Sequence, residues 1–234
     1  MQLALFVVIV VFSLVLYVII KQNIQIRRAE FIRKASFPPG LYKKLRQHHP
    51  HLTPKDCQLV GQALRQFFLA YLHGDCKFVA MPSQVVDDLW HEFILYTRHY
   101  KLFCQQAFGC FLHHTPAIML GENRKDNSGL RCIWWFACKE ENINPRYPFR
   151  LPLLFAVDNK FKIPNGFYYT AECQALTQHR SGLELTTIHC GEDFSSTQYD
   201  GTTDGFPEAE RHHRLGEDGL DFDCGGSSCS GGGD

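Results

Sequence analysis

Apolar and polar residues follow three regimes along this chain. From Leu3 to Ile20 the sequence LALFVVIVVFSLVLYVII is apolar throughout, and only Ser13 and Tyr17 carry polar atoms. From about residue 37 to 180 apolar residues recur at helical spacing, and beyond Gly182 Gly, Asp, Ser and Thr dominate. The first regime predicts a membrane anchor over residues 1–20: eighteen helical residues rise about 27 Å, close to a hydrocarbon core of about 30 Å. A signal peptide would need a basic leader and a small-residue cleavage site. Met1-Gln2 and the following KQNIQIRR offer neither.

The second regime reads as a compact helical domain over 37–180, joined to the anchor by a basic segment over 21–36. Phe37-Pro38-Pro39-Gly40 breaks the first helix, and Leu41 to His48 fits one short helix. Thr53-Pro54 is a helix start, an N-cap residue followed by proline at the first helical position. Cys57, Val60, Leu64, Phe67, Phe68 and Tyr71 then form an apolar stripe reaching Gly74. Pro82-Ser83 opens another helix, on which Val86, Leu89, Trp90, Phe93, Thr97, Tyr100 and Cys104 share one face for about six turns. GENRKDNSG at 121–129 reads as a loop, and a third long helix is expected at about 129–141. Leu153 to Val157 is either a strand or a buried turn. Asn165-Gly166, between Ile163 and Phe167–Tyr169, suggests a small hairpin, and 170–179 a last helix.

The fold expected is therefore mainly α: one N-terminal transmembrane helix, a compact helical domain with a small irregular or β-hairpin element, and a disordered tail over 181–234. The tail's Gly- and Cys-containing end, CGGSSCSGGGD, lacks the apolar content to fold alone.

Charge adds an orientation. Eight Lys/Arg against Glu30 make residues 21–46 a net +7, while ten acids against Arg211 and Arg214 make 192–223 a net −8. Basic residues crowd one end of the anchor, so the positive-inside rule places the N-terminus outside and the domain in the cytoplasm. The lipid bilayer is then the first partner. The same charges either attract anionic headgroups or only set topology. With little aromatic interleaving they do not resemble a nucleic-acid groove. Ten cysteines make the chain cysteine-rich, and in the cytoplasm they are expected mostly as thiols. The absence of C-x-x-C excludes a thioredoxin-like motif and a standard zinc ribbon.

Residues 82–116 hold the densest set of unusual residues: Asp87, Trp90-His91, Tyr100, Cys104, Phe108-Gly109 and His113-His114. This block resembles the glycine-rich-domain-containing protein-like family, whose members carry an Asp-x-x-Trp-His helix, then Tyr, Cys, Phe-Gly and a closing His. The Leu-Pro-x-Leu-Phe-x-x-Asp run at 151–158 and the Cys/Gly tail are also similar, although only Cys224 and Cys229 remain in this tail. The resemblance covers roughly 55–180 plus the tail. It implies a mostly helical domain and carries no established enzymatic activity.

Four residues offer chemistry. Asp87 and His91 are four apart and share a helix face. With His113 or His114 they compose a carboxylate and two imidazoles, a donor set that suits zinc or iron. Alternatively, Asp87 orients His91 and pairs with Arg98, fastening the helix. Cys104, Cys110 and His113 or His114, with Cys132 or Cys138, make a looser zinc set, whose plainer account is burial as small apolar side chains. A Cys–His nucleophile matches no protease order. His48, His49 and His51 fit a solvated turn or an incidental metal contact. Two functions follow. One is a membrane-anchored module that binds an unidentified protein partner, and the other is a metal-binding protein or metal-dependent enzyme using Asp87, His91 and His113/His114.

Overall fold

The computed structural model describes residues 2–74, 80–114, 128–171 and 188–190. It is mainly helical, with seven helices among the described residues. The expected tail, apart from residues 188–190, lies outside them, as do the 172–179 part of the expected last helix, residues 121–127 of the expected loop, and Cys224 and Cys229.

The first helix, α1, runs unbroken over Gln2–Lys34. It is long and apolar enough to cross a membrane. Its residues as far as Ile20 are exposed, and Ser13 donates to the Ile9 carbonyl at 2.9 Å, so its hydroxyl needs no outside partner. No Gly or Pro stands between Ile20 and Pro38, so the basic segment continues the same helix. Ala29 and Ile32 are buried, Phe31 lies 5.7 Å from Phe103, and Arg33 grips Glu140 through two bonds of 2.8 Å. The helical domain thus begins inside α1.

After Pro38-Pro39-Gly40, α2 (Leu41–His48) buries Leu41 and Leu45. The central helix, α3 (Pro54–Gly74), starts as its caps predict. Thr53 Oγ1 accepts from the Asp56 N–H at 3.2 Å while the Asp56 carboxylate accepts from the Thr53 N–H at 2.9 Å. Val60, Leu64, Phe67 and Phe68 are fully buried on its core face.

The six-turn helix expected after Ser83 is two helices, α4 (Gln84–Leu95) and α5 (Thr97–Ala107), broken at Tyr96 with φ −81° and ψ 57°. In a straight helix Trp90 and Tyr100 would stand about 15 Å apart. Instead the Trp90 indole N–H donates to the Tyr100 oxygen at 3.1 Å. The fold-back brings Tyr100 and Phe103 onto Phe93, at 5.2 and 5.4 Å between ring centroids, and Phe103 onto Phe68 at 5.0 Å. Burial of these rings outweighs the continuous backbone ladder, and no Gly or Pro announces it.

Two further elements differ from expectation. The run Leu153–Val157 is neither strand nor turn but the first half of α7 (Leu153–Phe161), which follows Pro152 and buries Leu154, Phe155, Val157 and Asp158. A short apolar run is compatible with a buried helix as much as with a strand. The turn at Asn165-Gly166 is present, with Asn165 at φ 58° and the Gly166 N–H donating to Ile163 at 3.0 Å, but it closes no hairpin. The strand after it, β1 (Tyr168–Thr170), pairs in parallel with β2 (Ile188–Cys190), Tyr169 opposite His189, inside the stretch assigned to the tail. The remaining long helix, α6 (Ser128–Glu140), lies where the sequence puts it and packs on α3.

One buried carboxylate joins these parts. Asp158, 1% exposed, accepts from the Ser83 hydroxyl (2.7 Å), the N–H groups of Gln84 (2.7 Å) and Val85 (3.2 Å) at the start of α4, and the Phe167 N–H (2.9 Å). Ser83 meanwhile caps Val86 at 3.3 Å. A negative charge here also complements the positive end of α4. Gly166 leaves room for it, since a Cβ there would lie 2.9 Å from Asp158 Cβ. Replacing Asp158 with Ala strands these donors and is expected to cost about 2–5 kcal/mol in denaturant unfolding, with Asp158→Asn losing less.

Burial also sets an alkaline limit. It pushes the Cys138 thiol up to about 12 and raises those of Cys57 and Cys104 and the Tyr100 phenol. These groups stay protonated in the fold after the unfolded chain ionises. Stability is therefore full below the ordinary thiol range and falls as pH rises through it, by up to about 1.4 kcal/mol per pH unit for each group. Thermal unfolding of Cys138→Ala from pH 8 to 10.5 should show a shallower fall than the parent chain; equal slopes would refute the assignment.

Candidate metal centre

The Asp158 cap fixes the start of α4, and Asp87 sits in that helix's first turn. One turn on, His91 shares its face, with Nδ1 3.6 Å from Asp87 Oδ2. The third group comes from the chain after α5. Gly109, at φ 80°, turns the backbone where a Cβ would overlap the Arg28 guanidinium. The segment then runs past Leu112, whose carbonyl accepts from the Tyr100 hydroxyl at 2.6 Å. It delivers His114, whose Nε2 lies 2.9 Å from Asp87 Oδ1.

One carboxylate therefore faces two imidazoles, one on each oxygen. The His91 and His114 rings are 4.3 Å apart, and Trp90 backs His114 edge-on at 4.5 Å. The three potential ligand atoms lie within 4.8 Å of one another. Side-chain exposure is graded: 13% for His114, 22% for Asp87 and 51% for His91. The cluster thus lies at the surface, with His114 as its inner wall.

Of the expected residues, Asp87, His91 and His114 come together. His113 does not. It is exposed and its ring lies 4.6 Å from Phe111. The reason is alternation along an extended segment, which puts Leu112 and His114 inward and Phe111 and His113 outward. The buried Leu112 is the signal that would have chosen between the two histidines. Arg98, expected as a partner of Asp87, is exposed beyond the break at Tyr96.

The looser cysteine set does not assemble. Cys110 and Cys132 are disulfide-bonded, not thiols, and so are unavailable as thiolate ligands. Cys57, Cys104 and Cys138 are buried thiols raised by desolvation, the opposite of an activated nucleophile.

The histidines at 48–51 do structural work that the sequence reading missed. His49 is buried and lies 2.7 Å from Asp88, which also accepts from Gln84 at 2.9 Å. His48 lies 3.1 Å from Glu92, and His51 reaches the Phe161 carbonyl at 3.1 Å. These bonds lock the α2–α3 corner to the neighbouring flank of α4 and to the end of α7. The i,i+4 pair Asp88 and Glu92 was their only sequence signal.

Comparison with known proteins places the chain. A family model described as UCP032817-like matches residues 27–194. Neither a curated protein nor a solved structure matches. The matched span begins where α1 approaches the core and takes in α2 to α7, both strands and the Asp87–His91–His114 cluster, and it omits the apolar stretch Leu3–Ile20. The chain belongs to the UCP032817-like family.

Proposed function

We propose that this is a membrane-anchored protein whose helical domain binds one divalent transition metal, zinc or iron(II), through Asp87, His91 and His114. The observation that carries the reading is the convergence of their ligand atoms within 4.8 Å. Tetrahedral zinc with bonds near 2.0–2.1 Å needs donors about 3.3 Å apart. Asp87 and His114 are already that close, so the remaining contraction falls on His91, whose half-exposed ring has room to move. Two imidazoles and a carboxylate suit zinc and iron(II) alike. A metal so held keeps a position for water or an outside ligand. That convergence is specific, whereas the interaction-module expectation rests on the Gly- and Cys-containing tail and the lack of a recognisable catalytic motif.

Membrane anchoring is supported by the length of the apolar part of α1 and by the internally satisfied Ser13. We propose likewise that the domain is similar to the glycine-rich-domain-containing proteins. Four of the residues in the block that bears this similarity, Asp87, Trp90, Tyr100 and His114, are neighbours joined by hydrogen bonds and ring contacts.

Full-length chain in detergent, without added affinity histidines, is expected to hold about one zinc or cobalt(II) per chain by elemental analysis after loading. His91→Ala and Asp87→Asn should each weaken binding at least about tenfold, and His113→Ala should leave it unchanged. His91→Ala is the decisive variant, because its exposed side chain contributes little to the fold. No metal in the parent chain, or equal affinity in His91→Ala, would reduce the cluster to a fastening between α4 and the segment carrying His114.

A further inference from the structure

The cysteines fall into two populations. Cys57, Cys104 and Cys138 are fully buried thiols that pack as small apolar side chains within the core. Cys110 and Cys132 are disulfide-bonded. Cys110 is half-buried and follows the Gly109 turn, outside any helix, and Cys132 lies in the second turn of α6. The two oxidised positions flank residues 115–127 in sequence, and Cys132, 2% exposed, is buried in α6 as Cys138 is, so the two populations differ in oxidation state and not in burial alone. The core does not call for such staples. Its buried side chains form one continuous cluster from α1 to β1, and a domain of this size folds on its apolar burial.

From this division we infer that the domain resides on the oxidising side of its membrane, with Cys110 and Cys132 closed by a thiol-oxidising protein of that compartment. Closing each bond takes two protons and two electrons from a pair of thiols as the S–S bond forms. The oxidant's own disulfide accepts both and leaves as a dithiol. The three buried thiols stay out of the exchange, because desolvation suppresses their thiolates.

This orientation reverses the one expected from Lys21, Arg27, Arg28, Arg33 and Lys34. The two arguments differ in kind. The charge rule is a bias on insertion, which other features of a chain override. A closed disulfide in the cytosol faces a glutathione and thioredoxin pool that reduces it. Moreover, Arg33 and Lys34 are engaged with Glu140 and Glu30 in the fold, so a structural use for them exists whichever side they occupy. The inference stands apart from the metal reading, since neither cysteine is a proposed ligand.

The test uses the full chain in cells with an intact membrane. Thiols are trapped by acid quenching, then alkylated under denaturing conditions with a mass-adding maleimide, with and without prior reduction. The parent chain is expected to gain adducts on reduction, and Cys110→Ser and Cys132→Ser should each gain fewer than the parent. In parallel, protease supplied to the oxidising side should degrade the domain without breaking the membrane. Equal labelling with and without reduction, or a domain protected until the membrane is opened, overturns the inference. Cys110→Ser changes a half-buried position outside any helix, so its helical content by circular dichroism should match the parent, which separates a lost disulfide from a lost fold.

Discussion

The structure depends on the burial of the Asp158 carboxylate. A charged group taken from water is tolerated only where donors replace the lost hydration, and here a hydroxyl and three backbone N–H groups do so. Two of the backbone donors belong to the first turn of α4, which has no partners of its own for them. The third belongs to the turn beyond α7. One side chain thus sets the start of α4 against α7 and the small sheet. Because the helix is rigid, setting its start also sets the side chains along it.

Both flanks of α4 then become useful. On one, Asp88 and Glu92 receive His49 and His48 and so hold the corner between α2 and α3. On the other, Asp87 receives His114 and lies beside His91. The same i,i+4 geometry of carboxylates and imidazoles serves packing on one side and a candidate ligand set on the other. What separates the two is convergence. The packing pairs each involve one histidine and one acid, while Asp87 gathers two imidazoles on a single carboxylate.

Much of this is legible in the sequence alone. The Thr53-Pro54 start, the short α2 and the apolar stripe of α3 follow from caps and period, because local chemistry decides them. Asp87 and His91 could be paired from spacing alone. The break at Tyr96 could not, since it is enforced by rings that meet only after the chain folds back. The choice of His114 over His113 rested on the strand-like alternation around Leu112, which period-3.6 reasoning does not see. The parallel pairing of β1 with β2 was hidden for another reason: a turn with Asn at positive φ signals a reversal, not the partner the next strand finds. Asp158 stands in the sequence as the closing residue of the Leu-Pro-x-Leu-Phe-x-x-Asp run, and its role required knowing that α4 begins beside it.

The candidate centre is also tied to the long apolar helix α1. Residue 29 stands about 14 Å along the helix from Ile20, and no hinge residue intervenes. From that rigid continuation Arg28 lies against Gly109, the residue that turns the chain toward His114 five positions later. Phe31 on the next turn packs against Phe103 of α5, the helix that delivers the same segment. Tyr100, also on α5, holds that segment at Leu112 through the bond it donates, while accepting from Trp90 beside the cluster. His114 is therefore placed by a chain of contacts that starts on α1 and ends on α4. A shift of α1 against the domain disturbs its contacts at Gly109 and Phe103, so the seating of the apolar helix and the geometry around Asp87 are parts of one mechanical unit.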